Sequence, residues 1–368
     1  MSFSCLSLPG TEHARDLLRY LALKIAHPRI SMLFLAALIT LADTSFADWQ
    51  RREADIMGTR ITVELFHTDP AVATQGIDAV MREMHRIDAT MSPYIESSEL
   101  ARINENAHQN PVSSSDELYH LIQRSIEFSE LTEGAFDITF ASVGFLYDYR
   151  HAKRPSETQL QAATALINYH NLVMNDAART IRFSRPGVRI DLGGIAKGYA
   201  VDRGIQLLQA RGISNALVTA GGDSRMIGDR WGRPWTIGVR DPRRKDEVVA
   251  LIPLKDVAVS TSGDYERYFD EQGIRYHHII DPKSGDSARE LQSVTIIGPD
   301  ATTTDALSTS VFVLGLEHGM KLVNKLPAID AILVDSNGRL HYSAGLQAAG
   351  NTDHDVKTST DRLSTDHD

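Results

Sequence analysis

The feature that most constrains the fold is an alternation of strand-like and helix-like segments that starts at Asp48 and runs on without a dividing linker or an internal repeat. Residues 59–66, TRITVELF, place Ile61, Val63 and Leu65 on one face, which is the period-two pattern of a strand. Apolar residues at helical spacing follow between residues 77 and 91. A chain of this kind is expected to pack helices against a sheet around one core.

The same pattern continues to the end of the folded part. Further helices are predicted over residues 116–131 and 195–211 and from residue 303 onward. Further strands are predicted at 215–219, 235–239, 248–253, 258–260, 294–297, 328–335 and 339–342, and a hairpin joins 180–183 to 188–192. Several of these strand pairs are expected to be antiparallel, so the predicted class is α+β, with mixed or antiparallel sheets and packed helices in a single large domain.

The two ends of the chain depart from this pattern. Residues 32–42, MLFLAALITLA, form a short apolar run that Arg29 precedes and that Ser45-Phe46-Ala47, a small-x-small cleavage pattern, follows. Such a run is typical of a secretory signal, and an uncleaved inner-membrane tether is the alternative. Residues 351–368 are rich in Asp, Thr, Ser and His and are predicted to be disordered. We therefore expect a signal region at 1–47, a folded domain at 48–350, an acidic tail at 351–368 and a periplasmic location.

Charge and cysteine content exclude several classes of function. The formal net charge of -10 argues against a nucleic-acid partner, and an anionic substrate would need a local cation or a metal. The single cysteine, Cys5, precedes the folded part, so we expect no disulfide, no thiol chemistry and no zinc-thiolate site.

Residues 191–198, DLGGIAKG, lie at a predicted strand-to-helix junction. Glycines there allow close approach of a ligand, and a helix N-terminus favours an anion. The spacing matches neither a Walker A loop nor a dinucleotide-binding fingerprint. A tight turn in which Gly193 and Gly194 supply positive φ is the other interpretation.

Three more polar segments have two interpretations each. Residues 219–223, TAGGD, fit close packing or ligand approach, and residues 260–265, STSGDY, fit a polar turn or a phosphate cradle. In residues 302–309, TTTDALST, Asp305 and Thr309 share a helix face and are hard oxygen ligands that suit Mg²⁺. Thr302 with Asp305 also resembles a capping box. His278 is a candidate for proton transfer, whereas a lone strand histidine is more often structural.

These segments together resemble the FAD:protein FMN transferases, the ApbE family, over residues 56–316. The resemblance consists of an ordered series of blocks, at 57–59 (MGT), 91–94 (MSPY), 134–137 (GAFD), 191–200 (DLGGIAKGYA), 221–223 (GGD), 261–263 (TSG), 278–282 (HIIDP) and 305–309 (DALST). One departure is residues 142–147, SVGFLY, which lack the family's usual proline and carry tyrosine where tryptophan is common.

The resemblance implies an ApbE-type domain and a role for each matching residue. The FAD site would be lined by Met57, Tyr94, Ala135, Phe136, Asp137, Asp191, Lys197 and His278. Mg²⁺ would be held by Asp305, Thr309 and the carbonyl of Gly194, and Asp305 would be catalytic. His278 is our candidate for taking the hydroxyl proton, Asp281 is the alternative, and the resemblance alone does not decide between them. The FMN half of FAD would pass to a Thr or Ser hydroxyl of an acceptor flavoprotein subunit of a membrane electron-transfer complex, with AMP leaving. An FAD pyrophosphatase and a non-catalytic periplasmic flavin-binding protein are the alternatives.

Overall fold

An eight-stranded antiparallel sheet organises the part of the chain that the computed structural model describes, residues 48–244 and 246–348. The strands are β1 (Gln50–Ile56), β2 (Thr59–Phe66), β3 (Val112–Ser113), β4 (Leu172–Asn175), β5 (Thr180–Phe183), β6 (Asn215–Ala220), β7 (Asp223–Ile227), β8 (Trp235–Arg240), β9 (Val248–Leu254), β10 (Ala258–Gly263), β11 (Tyr268–Glu271), β12 (Ile274–His277), β13 (Leu291–Gly298), β14 (Asp330–Asp335) and β15 (Leu340–Tyr342). The order in the large sheet is β1-β2-β6-β7-β10-β13-β14-β15, and smaller sheets are formed by β3-β5-β4, β8-β9 and β11-β12.

The helices cover one face of the large sheet. They are α1 (Pro70–Met91), α2 (Glu99–Asn106), α3 (Asp116–Leu131), α4 (Ala141–Gly144), α5 (Glu157–Thr164), α6 (Ala196–Gln209) and α7 (Ala301–Val323), with short 3₁₀ helices at Ile138–Phe140 and Tyr169–Asn171. Helix α1 packs on β1 and β2, α6 on β6 and β7, and α7 on β10 and β13. The β8-β9 ribbon covers part of the opposite face through Trp235, which packs with Val259 and Ile297.

The α+β single-domain prediction is confirmed, and the period-two face of β2 is its reason. Ile61, Val63 and Leu65 are fully buried under the helices, as their alternation predicts. All eight residues of β13 are buried, because helices cover one of its faces and the β8-β9 ribbon the other. The helix predicted to end near residue 91 does so, at the C-cap residue Ser92.

The predicted hairpin between residues 180–183 and 188–192 is wrong. Strand β5 pairs instead with β3 and β4. Residues 188–192 form no strand, because the Asn104 side chain takes both backbone groups of Ile190. That amide accepts from the Ile190 N–H at 2.7 Å and donates to its carbonyl at 2.8 Å.

Helix α7 is broken within its length. Gly315 has φ 75° and ψ −174°, which interrupts the helical geometry between the first part of α7, which carries Asp305 and Thr309, and the second part. Within residues 48–244 and 246–348, none of the helices combines the length and the apolar character needed to cross a bilayer. The predicted signal region at 1–47 and tail at 351–368 lie outside the described residues.

Candidate active site

Helices α6 and α7 meet at their N-termini. A Cβ on Gly198 would lie 2.1 Å from the Ala301 carbonyl oxygen and 2.7 Å from the Asp305 Cβ, so only glycine allows this approach. The carboxylate of Asp202 on α6 fixes the contact, since it accepts from the Ala301 N–H at 2.9 Å and from the Thr302 hydroxyl at 2.6 Å. The start of α7 is thus held on α6 by a close backbone contact and by hydrogen bonds.

This contact brings together a lysine and two buried carboxylates. Lys197 Nζ lies 2.7 Å from Asp223 Oδ2 and 3.4 Å from both Asp305 oxygens, and the Gly198 N–H donates to Asp305 Oδ2 at 2.9 Å. Asp223 and Asp305 are each 2% exposed. We call Lys197, Gly198, Asp223 and Asp305 the helix junction. One lysine faces two carboxylates there, so the formal charge of the junction is negative when all three groups are ionised.

The pKa values at the helix junction follow from that charge. Burial and the neighbouring Asp223 carboxylate raise the pKa of the Asp305 carboxyl above its ordinary value. Burial alone would lower the pKa of Lys197, but the two carboxylates outweigh it and the pKa of Lys197 is raised. A further cation beside Asp305 would therefore be stabilised.

Hydroxyl groups and the Gly194 backbone come together at Thr309, one helical turn after Asp305. The backbone of Gly194 is close to the Thr309 hydroxyl, which lies 3.2 Å from where a Gly194 Cβ would stand. Ser262 Oγ on β10 lies 3.4 Å from Thr309 Oγ1. In the described part of the chain, no three or more His, Cys, Asp or Glu side chains gather in a metal-binding group. One carboxylate with hydroxyl and carbonyl oxygens is a donor set that fits Mg²⁺ and not a softer ion.

The capping-box interpretation of Thr302 and Asp305 is wrong. The N-cap of α7 is Asp300, whose carboxylate accepts from the Thr303 N–H at 2.8 Å. Thr302 bonds to Asp202, and Asp305 turns to the helix junction. An aspartate two residues before the hydroxyl run supplies the cap that sequence reasoning gave to Thr302.

The polar segments 219–223 and 260–265 take different roles. Gly221 and Gly222 form the β6-β7 turn, where a Cβ on Gly222 would lie 2.5 Å from the Thr261 carbonyl oxygen, so packing explains the glycines and places Asp223. Ser260 and Ser262 lie on β10 and pair with α7 hydroxyls, Ser260 with Thr304 at 2.8 Å. Their hydroxyls tie the central strand to the site helix.

The segment 134–137 borders the helix junction through Phe136. The Phe136 ring lies 3.2 Å from where a Gly194 Cβ would stand, and Ala135 and Phe136 are 6% and 3% exposed. Both Asp137 oxygens are used within the loop, since Oδ1 accepts from the Thr139 N–H and Oδ2 from the Tyr169 N–H, each at 2.8 Å. Asp137 therefore shapes the loop that presents Phe136.

Asp191 stands at the start of the glycine segment. Its Oδ1 accepts from the Gly193 N–H at 2.7 Å, and burial raises the pKa of its carboxyl. This bond makes a tight turn, as the turn interpretation of residues 191–198 expected. The positive φ expected of Gly193 and Gly194 is wrong, because neither residue adopts it. Close approach accounts for Gly194 instead, since a Cβ there would lie 3.2 Å from the Phe136 ring. The turn leads directly into α6 and Lys197.

Met57 lies in the turn between β1 and β2. Met57 and Gly58 have φ values of 57° and 67°, the positive pair that a two-residue type I′ turn requires. The Arg267 guanidinium comes within 3.2 Å of where a Gly58 Cβ would stand. Arg267 is exposed and forms no ion pair with any side chain of the described ranges.

The two adjacent histidines differ sharply. His277 is 2% exposed, its Nε2 lies 2.7 Å from the Ala288 carbonyl oxygen, and its Nδ1 accepts from the Ile279 N–H. His278 Nδ1 is buried and has no hydrogen-bond partner. Burial, reinforced by the Arg267 charge, lowers the pKa of His278 to about 3, so the ring is neutral at pH 7. His277 is the structural histidine, and His278 is the one with an unpartnered ring nitrogen.

Tyr94 is the most exposed of the predicted site residues, at 69%. The Tyr94 ring lies 5.4 Å from the Phe145 ring, and the Arg189 guanidinium lies over the Phe145 ring at 5.0 Å. Tyr147, which takes the place of the family's tryptophan, is 8% exposed and stacks on Tyr149. Within the divergent segment 142–147, Phe145 therefore supplies the aromatic surface and Tyr147 belongs to the core.

The structure thus brings together the predicted residues Gly194, Lys197, Asp305, Thr309 and Phe136. His278 borders Arg267, and so does Gly58, which follows Met57 in its turn. Tyr94 stands at the exposed edge, and Asp137 serves its own loop. Sequence reasoning missed Asp223 and Arg267 as site residues. The glycine pair before Asp223 was a signal for the first, whereas nothing local marks Arg267.

Known proteins are similar to this chain over most of its length. The ApbE family model matches residues 57–333. A curated FAD:protein FMN transferase from Treponema pallidum is 32% identical over 79% of this chain and 86% of its own length, and one from Vibrio cholerae is 31% identical over 85% and 96%.

Solved structures agree with this family match. The ApbE protein from Thermotoga maritima superposes with a TM-score of 0.76 at 38% identity, over 82% of this chain and 99% of its own. The flavin transferase ApbE from Vibrio cholerae superposes with a TM-score of 0.73 at 28% identity, over the same shares. With the family model covering most of the folded part, the chain belongs to the ApbE family.

Proposed function

We propose that the protein is a Mg²⁺-dependent FAD:protein FMN transferase that moves the FMN half of FAD to a Thr or Ser hydroxyl of an acceptor flavoprotein and releases AMP. The observation that carries the proposal is the helix junction, where Asp305 and Thr309 stand beside a lysine and two helix N-termini. Its negative charge and hard oxygen donors suit a divalent ion, and curated members of the same family are named as FAD:protein FMN transferases.

The proposed step is a single displacement at phosphorus. The acceptor hydroxyl oxygen forms a bond to the FMN-side phosphorus, the bond from that phosphorus to the bridging oxygen breaks, and AMP leaves with the bridging oxygen. Such a transition state spreads negative charge over the phosphoryl oxygens, so catalysis depends on positioning and charge neutralisation. A pocket that fixes both phosphates against cations is sufficient to accelerate it.

The hydroxyl proton must be accepted as the bond forms. His278 has a neutral ring with an unpartnered Nδ1, which makes it our candidate for that role. An anionic substrate placed beside the ring would raise the pKa of His278 and strengthen it as a base. Asp305 is committed to Lys197 and Gly198 and would act by holding the metal.

The metal would be held by Asp305, Thr309 and the Gly194 carbonyl. When bound, Mg²⁺ would neutralise charge on the pyrophosphate and stabilise the departing phosphate. The protein itself orients the donors, because the close contact at Gly198 sets where Asp305 stands.

The proposed location and partner rest on the sequence. An export signal within residues 1–47 would place the enzyme in the periplasm, with an inner-membrane tether as the variant of that proposal. The acceptor would then be a flavoprotein subunit of a membrane electron-transfer complex, reached from the same side of the membrane.

The test is intact-mass spectrometry of an acceptor flavoprotein domain incubated with the enzyme, FAD and Mg²⁺. We expect the acceptor to gain the mass of one FMN phosphoester, and Asp305→Ala to abolish the gain. FAD cleaved without an adduct would favour the pyrophosphatase. FAD left intact beside a competent acceptor would favour a non-catalytic flavin-binding protein.

A further inference from the structure

Arg267 and His278 face each other across the end of a two-stranded ribbon. Strands β11 and β12 pair Tyr268 with His277, and the ladder continues because the His278 N–H donates to the Arg267 carbonyl at 3.1 Å. Directly opposed residues of an antiparallel pair project to the same face. The side chains of Arg267 and His278 therefore share one face of the ribbon, and we call this pair the ribbon end.

Arg275, a second arginine on the same ribbon, has the partners that are typical of a structural arginine. Arg275 lies opposite Asp270, pairs with it at 3.1 Å and stacks on Tyr268 at 3.9 Å. Arg267 has no carboxylate opposite it, and a histidine stands in that position instead. The neutral His278 ring offers the guanidinium no opposite charge. The Arg267 charge favours the ionised form of the buried Asp191 carboxyl, but the guanidinium forms no ion pair with any carboxylate of the described ranges.

The neighbours of Arg267 also leave room for a ligand. The type I′ turn puts Gly58 against the guanidinium, with no Cβ to cover it. The nearest lysine at the site, Lys197, is already bonded to Asp223 and close to Asp305. The helix junction therefore offers a negative surface for a metal and no free cation for a phosphate, whereas the ribbon end offers a free cation beside an unpartnered ring nitrogen.

We propose that Arg267 binds the FMN-side phosphate of FAD, the group that is transferred, and holds it beside His278. This inference rests on the proposed function and deepens it by dividing the two phosphates. The helix junction with its metal takes the phosphate that leaves with AMP, and the ribbon end takes the phosphate that is attacked. The guanidinium donates to non-bridging oxygens, which keep their negative charge before and after the displacement.

The test compares ligands that differ in that phosphate, by isothermal titration of the full chain with FAD, FMN, riboflavin and AMP. Arg267→Gln is expected to raise the Kd for FAD and FMN about tenfold to a hundredfold, the cost of a lost charge-assisted hydrogen bond. Affinity for riboflavin and AMP should stay unchanged. Arg267→Lys, which keeps the charge and loses the fork of donors, should fall between.

Arg275→Gln is the matched control, because it removes the same charge from the opposite face of the same ribbon. It should leave all four affinities unchanged, and circular dichroism of each variant checks the fold. An unchanged FMN affinity in Arg267→Gln overturns the inference, and so does an equal loss of riboflavin binding.

The outcome is separable from that of the proposed function. A wild-type protein that binds FAD and FMN but modifies no acceptor refutes transfer, and the affinities still decide the role of Arg267. An Arg267→Gln variant with normal FMN affinity and normal transfer refutes this inference alone. A wild-type chain that binds neither FAD nor FMN overturns both.

Discussion

The helix junction and the ribbon end border the same site but differ in whether their polar groups have partners within the protein. At the helix junction each charged group has a partner within the protein, and the close contact at Gly198 fixes the geometry before any ligand arrives. At the ribbon end Arg267 has no ion pair in the described ranges and His278 Nδ1 has no hydrogen bond. The first region is positioned by folding, whereas the second keeps an exposed guanidinium beside an unpartnered ring nitrogen.

The sharpest way to break the comparison is to remove the close contact. Gly198→Ala would force a methyl group to within 2.1 Å of the Ala301 carbonyl oxygen. We expect it to lower the free energy of unfolding by about 3 kcal/mol, the upper range for overpacking, and to abolish transfer. Gly204→Ala on the same helix is the control, because its Cβ meets only side-chain methyl groups such as that of Val80, at 3.1 Å. Urea unfolding of both variants measures the difference, and equal losses would refute the special role of Gly198.

Asp305→Asn tests the charge of the helix junction. The variant keeps the shape and the Lys197–Asp223 pair but loses the carboxylate, so transfer should fall about a hundredfold to a thousandfold. Its requirement for Mg²⁺ should also rise. Asp300→Asn, which alters only the N-cap of the same helix, should keep the wild-type Mg²⁺ dependence in a titration of initial rates. Wild-type Mg²⁺ dependence in Asp305→Asn would remove the metal assignment.

Substituting the two adjacent histidines one at a time should have different effects, on stability for His277 and on kcat for His278. His278→Ala should lower kcat about a hundredfold, the range for loss of a general base, with little change in the unfolding free energy. His277→Ala should instead cost about 1–3 kcal/mol of stability, because the Ala288 carbonyl loses its partner. Thermal melts and kcat measured on both variants give the answer. If His278→Ala were the unstable one, the two assignments would have to be exchanged.

Stability should also respond to pH through these rings. Burial lowers the pKa of both histidines, that of His278 to about 3, so each binds protons more readily when unfolded. Their contribution is present above the unfolded pKa of about 6.5 and is lost as pH falls below it. The slope should reach up to about 1.4 kcal/mol per pH unit for each ring. Chemical unfolding between pH 7 and pH 5 should show a smaller slope in His278→Ala, and an unchanged slope would contradict the burial argument.

The smallest effect is expected at the exposed aromatic edge. Phe145→Ala removes the ring that faces Tyr94 and should weaken FAD binding about threefold to tenfold, with kcat unchanged. Leu146→Ala, at a neighbouring side chain that is 37% exposed, is the control. Fluorescence titration of FAD would detect the difference, and equal affinities would remove Phe145 from the binding surface.

Hydrophobic periodicity in the sequence correctly predicted the strands and helices whose buried face is set by their own residues. The faces of β2 and α3 follow from periodicity, and the strand after residue 215 follows from its apolar alternation. The strand predicted at residues 188–192 is wrong, because the backbone of this extended run bonds to the Asn104 side chain and not to another strand. That partner is 86 residues away in sequence, and no local rule reports it.

The site shows the same division. The segments containing Gly194, Lys197 and Asp305 could be singled out from residue type and spacing, and the resemblance gave them roles. The pairing of Lys197 with Asp223 could not, because it depends on the β6-β7 turn meeting α6. The position of Arg267 could not be predicted for the same reason, since only the register of β11 with β12 places it opposite His278.

The break in α7 has a consequence for protein engineering. Because Gly315 has non-helical φ and ψ, the helical turns that carry Asp305 do not continue in regular geometry into the later turns that lead to β14 and β15. Strain from a reporter or affinity tag fused after β15 would reach those later turns before it reached Asp305. Grafting, labelling and immobilisation are therefore best directed to the C-terminal side of Gly315, where a small displacement has no regular helix through which to reach Asp305.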